Sequence, residues 1–159
     1  MTRRRRITTA LASTLAALTL TCAAYAHQSI AVLDGAYTVI VGLLVNPAYT
    51  GQMNGIDLAV RNANGEAVAG LEKSLTAVIV APDGSELTLT LRVNAAKEGW
   101  YTGNFIPSVQ GNYTFRVDGF IGDASFEAYF DKPAHRDPAV LDAAVITVPA
   151  TATPSSTAP

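Results

Sequence analysis

After its first two dozen residues the chain has no cysteine, one methionine, one tryptophan and two histidines. Without a thiol it can form no disulfide, thiolate metal centre or thiol nucleophile, so the fold has to rest on a packed core. With only His27 and His135 available, a serine–histidine–acid relay has almost nothing to draw on, because it needs a base held by a third group beside an activated serine. Cations are scarce as well. Four of the eleven basic residues are Arg3 to Arg6, and from residue 27 onward seven basic side chains face thirteen acidic ones, a net of -6. That balance cannot supply the clustered positive charge that phosphate backbones require, and nucleic acid is not expected as a partner. Sustained helical periodicity is also missing beyond the start. Only Pro138 to Ala144 allows a short turn of helix, and no solenoid or propeller repeat is present.

What is present at the start reads as an export signal over residues 1–26. The basic run Arg3–Arg6 precedes an apolar stretch from Ile7 to Ala23, and Ala24-Tyr25-Ala26 offers small residues where a signal peptidase inspects them. A membrane anchor fits less well: the stretch is short for a span, carries several threonines and ends at the cleavage triplet. Cys22 is preceded by Thr21, where a lipoprotein normally has Gly, Ala or Ser, so it is expected to leave with the leader. The product is expected outside the cytoplasm, periplasmic or extracellular, with no membrane span after cleavage and with a protein or small ligand there as its partner.

The remainder is dominated by strand signals. Tyr37, Val39 and Val41 alternate with Thr38, Ile40 and Gly42 before Asn46-Pro47 halts the run. Ile56, Leu58 and Val60 alternate with Asp57, Ala59 and Arg61. Ser74–Val80 and Glu86–Val93 flank the turn Pro82-Asp83-Gly84, with Leu87, Leu89 and Leu91 on one face of the second run. Trp100–Ile106, Asn112–Phe120 and Ala124–Phe130 follow. Turn chemistry every 8–12 residues is the pattern of an all-β, immunoglobulin-like antiparallel β-sandwich of about seven strands, expected over residues 27–133. Tyr113, opening the sixth strand after a Pro107–Gln110 turn, is placed to bond an upstream backbone carbonyl as a tyrosine corner. Residues 134–159 read as a polar segment and a disordered Pro/Thr/Ser-rich tail.

A set of scaffold residues adds a resemblance. Tyr37-x-Val39, Pro47, Gly51, Asp57-Leu58-x-Val60, Asn64-Gly65-Glu66-Ala67-Val68-x-Gly70, Gly99-x-Tyr101 and Gly111-x-Tyr113-x-Phe115 resemble the YtkA-like group of exported bacterial β-sandwich domains, which is similar to the FixH and copper-resistance C families. The resemblance spans about Tyr37 to Phe130. It implies an immunoglobulin-like fold and an extracytoplasmic setting. The copper-resistance C relatives further imply a Cu(II) site built on a mature N-terminal histidine, a second histidine and an aspartate.

The expected function is a non-catalytic binding or accessory domain. The alternative is a Cu(II)-binding or copper-homeostasis protein. Cleavage after Ala26 would leave His27 first, and its α-amine and imidazole can chelate Cu(II) as two donors of a tetragonal set. His135, flanked by Asp131 and Asp137, is the other candidate ligand, although His135-Arg136-Asp137 departs from the Asp-x-His order of the copper-resistance C relatives. A second alternative is a carbohydrate-binding module using Tyr49, Trp100, Tyr101 and Phe105, against which stands their alternation along a strand. Glu66 with Glu72, and Asp83 with Glu86, read as solvated loop acids. Asn54-Gly55-Ile56-Asp57 is too sparse for a calcium loop.

Overall fold

The computed structural model describes residues 27–131 and 139–148. The predicted cleavage site, Cys22, His135, Asp137 and the tail from 149 onward lie outside those residues. Alternation along each strand sets the architecture. The strands β1 (His27–Val32), β2 (Tyr37–Leu43), β4 (Asn54–Asn62), β8 (Trp100–Phe105) and β7 (Arg92–Val93) pair in that order in one antiparallel sheet. A second antiparallel sheet runs β11 (Ala124–Phe130), β10 (Thr114–Ile121), β5 (Leu75–Val80), β6 (Glu86–Leu89). Val39, Val41, Ile56, Leu58, Val60 and Tyr101 from the first sheet meet Ala77, Ile79, Phe115, Val117, Ala128 and Phe130 from the second, all buried in one core. The chain crosses between sheets after β4, after β6 and after β8, so the result is an immunoglobulin-like β-sandwich, as the sequence predicts.

Two elements differ from expectation. The run Glu86–Val93 is not one strand. It pairs with β5 up to Leu89, then changes sheets and pairs with β8 from Arg92. Gly103 makes the crossing possible: a Cβ there would stand 2.9 Å from Leu89 Cβ and 3.2 Å from the Thr90 carbonyl. Leu89 and Leu91 stay buried, whereas Leu87 is 51% exposed at the open side of the sandwich.

The fold also reaches past residue 133. β12 (Ala139–Leu141) pairs in parallel with β3 (Ala48–Tyr49) and antiparallel with β9 (Gly111–Asn112). A short 3₁₀ turn, Ala143–Val145, follows. The helical turn foreseen for Pro138–Ala144 therefore divides into a strand and this 3₁₀ turn. Val140 is buried while its neighbours are exposed, so a single apolar side chain seats the segment.

Two tyrosines tie loops to the core. Tyr113 donates its hydroxyl hydrogen to the Val109 carbonyl at 3.0 Å and accepts the Val109 N–H at 3.3 Å, which is the predicted corner. Tyr101 donates to the Val68 carbonyl at 2.7 Å and accepts the Leu71 N–H at 3.1 Å, pinning the β4–β5 crossing. Burial pushes the Tyr101 hydroxyl above its ordinary pKa.

Tyr113→Phe is expected to cost about 1 kcal/mol by leaving the Val109 groups without that hydroxyl. Gly103→Ala should cost about 1–3 kcal/mol by pushing on the crossing. Urea unfolding of each variant, with an unchanged m-value, checks both.

Candidate functional site

The first sheet's register determines which polar groups meet on its outer face. His27 lies opposite Gly42, Gly42 opposite Asp57, and Asp57 opposite Thr102. Directly opposed residues project to the same face, so His27 and Asp57 share a row with only a glycine between them. Two strand spacings separate their backbones, about 10 Å, and Gly42 puts no side chain between them. The His27 imidazole reaches across Gly42, and its Nε2 lies 3.0 Å from Asp57 Oδ2.

Asp57 is unusual for an outward-facing strand residue. It is only 6% exposed, and its second carboxylate oxygen, Oδ1, is buried with no hydrogen-bond partner among the described residues. Ala59, two residues on along the same face, is fully buried. Trp100, opposite Ala59, sets its ring edge-on to His27 at 5.6 Å between centroids. Lys97 Nζ sits 4.8 Å from the Trp100 ring centroid and the Arg61 guanidinium 5.9 Å from it. Neither cation pairs with Asp57. Among the described residues His27 is the only basic group within ion-pairing distance of that carboxylate. An imidazole held by a carboxylate through one ring nitrogen keeps the other free to bind a metal.

The remaining sequence candidates separate. Asp131 is described, but His135 and Asp137 are not, so their relation to His27 is outside the structure. Among the described residues no group of three or more histidine or acidic side chains gathers as a metal cage. The four aromatics of the carbohydrate reading do not share a surface: Tyr101 and Phe105 face the core while Trp100 faces outward under Lys97. Glu66 accepts from the Asn62 amide, Asp83 caps its own turn through Ser85, and Glu86 approaches Arg116. The bonds to Ser85 hold the Asp83 carboxyl below its usual range. Asn54 is buried and staples Val45 through both its N–H and its carbonyl, a structural duty. An open cleft of about 370 Å³ along β6 and β8 is lined by Leu87, Thr88, Leu89, Thr90, Arg92 and Asn104. No helix among the described residues is long and apolar enough to cross a membrane.

Asp57 had no place among the candidate ligands read from sequence. The available signal was the outer face of β4, Gly55, Asp57 and Ala59, which is small and short where a solvated face would carry Lys, Thr or Glu. Gly42 at the matching position of β2 belongs to the same signal.

Comparison with known proteins adds fold-level likeness only. No family model matches the chain, and no curated protein matches it. Among solved structures, the Lin-41 filamin domain is similar with a TM-score of 0.41 and 16% identity, over 64% of this chain and 90% of that one. A DUF4785 family protein from Legionella pneumophila gives a TM-score of 0.43 and 16% identity, over 62% of this chain and 29% of its own length. The sandwich assignment stands on the sheets described above.

Replacing His27 by Ala leaves the Asp57 carboxylate with neither oxygen bonded among the described residues. The ring is partly exposed, so the expected loss is modest, about 1–2 kcal/mol, read as a lower urea midpoint.

Proposed function

We propose that the chain is an exported, non-catalytic immunoglobulin-like domain that takes up one Cu(II) ion at the amino end of β1. The observation that carries this reading is the His27–Asp57 pair beside Trp100. In it a buried carboxylate holds one ring nitrogen of the residue predicted to follow the cleavage point, which leaves the other ring nitrogen for a metal. Removal of residues 1–26 would give His27 a free α-amine. Amine and imidazole of one residue then form a nitrogen chelate of the type Cu(II) favours over other divalent ions. The scaffold residues shared with the YtkA-like group, and through it the copper-resistance C relatives, support the same ligand. His135 and Asp137 remain candidate additional donors from the segment before β12. Cu(II) is cargo in this reading, and the protein binds and holds it without turning over a substrate.

The test is a titration of the secreted form beginning at His27. Equimolar Cu(II) uptake is expected, with a ligand-field band of nitrogen coordination and quenching of Trp100, the sole tryptophan, whose ring adjoins that of His27. Acetylating the His27 α-amine should weaken binding more than about tenfold, or ~1.4 kcal/mol. Unchanged affinity in that blocked form would overturn the reading.

A further inference from the structure

We infer that Asp57, reaching His27 across the gap left by Gly42, is the positioning residue of this site: it accepts the Nε2–H bond and so fixes the tautomer that presents Nδ1 beside the α-amine. The inference rests on the Cu(II) reading for its consequence, but its geometry stands alone.

An ionised carboxylate only accepts hydrogen bonds. At 3.0 Å from Asp57 Oδ2, Nε2 therefore carries the hydrogen, and the lone pair lies on Nδ1. Only Nδ1 is close enough along the side chain to share one ion with the α-amine of the same residue. Nε2 points to the opposite side of the ring, so Asp57 cannot ligate the ion that Nδ1 holds while it bonds Nε2. Its part is the outer one of a carboxylate–histidine–metal relay, which orients the ring and raises its basicity as a ligand.

Burial sharpens the effect. Asp57 is more than nine-tenths buried, and its Oδ1 has no partner among the described residues. A dication on the far side of the imidazole would act on that carboxylate through a weakly screening surround. Among the described residues, Arg61 and Lys97, the cations packed on the same face, lie over Trp100 instead.

The test uses the form beginning at His27 and two readouts. In the metal-free protein, ¹⁵N correlation spectra should show hydrogen on Nε2 of His27 and none on Nδ1. In Asp57→Leu that preference should be lost, and also in Asp57→Asn, whose amide can donate to Nε2 as well as accept from it. Copper affinity should fall about 10–100-fold in both variants. The nitrogen ligand-field band should stay in place, since no inner ligand is removed. If Asp57→Leu fails to fold, Gly42→Val, which puts a side chain between the partners, should give the same two changes. Hydrogen on Nδ1 in the unsubstituted protein, or unaltered copper affinity in a folded Asp57→Leu, would overturn the inference. Failure of the unsubstituted protein to bind Cu(II) would instead overturn the proposed function, with the tautomer spectra still deciding the role of Asp57.

Discussion

The alternation of β4 is the constraint on which both the core and the site depend. Ile56, Leu58 and Val60 must face the second sheet, because they are fully buried and fill the middle of the core. A slip of one residue would drive the Asp57 carboxylate into the core and turn those three apolar side chains outward. Register is therefore strongly specified here. The same register that buries those three places Asp57 on the outer row with Gly42 and His27.

The outer row repeats the logic of the inner one with polar groups. A buried carboxylate needs a partner, and β1 supplies it from two strands away because β2 contributes glycine at the crossing point. Trp100 walls one side of the pair, and Lys97 and Arg61 lie over its ring. A partly desolvated surround of this kind strengthens a single hydrogen bond. Thus His27, a terminal strand residue, gains a fixed ring orientation that its position in the chain would not otherwise give.

Much of the sandwich is legible in the chain because its signals are local. Alternation at Tyr37–Leu43, Ile56–Arg61 and Thr114–Phe120, and the turns at Asn62–Gly65 and Pro82–Gly84, depend on neighbours in sequence. The Tyr113 corner is local too, since its partner is Val109. What escaped depends on distant contacts. β1, His27–Val32, has its apolar residues consecutive at its end rather than alternating, and is defined by pairing with β2. The break at Thr90 exists because Gly103 lets the chain approach. β12 lies in what reads as a short turn of helix, because its strand partners, β3 and β9, are distant in sequence. Asp57 meets His27 thirty residues away, and no spacing rule in one dimension links them. His27 becomes a candidate only through the predicted leader, and His135 and Asp137 lie outside the described residues.

The central claim is that register brings the His27 ring onto the outer face of β4, against Asp57 and Trp100. Nuclear Overhauser spectra of the protein beginning at His27 test it most directly. With ring centroids 5.6 Å apart, the account predicts cross-peaks between the imidazole protons of His27 and the indole protons of Trp100. A well-folded sandwich in which the Trp100 indole shows none to His27 would contradict it.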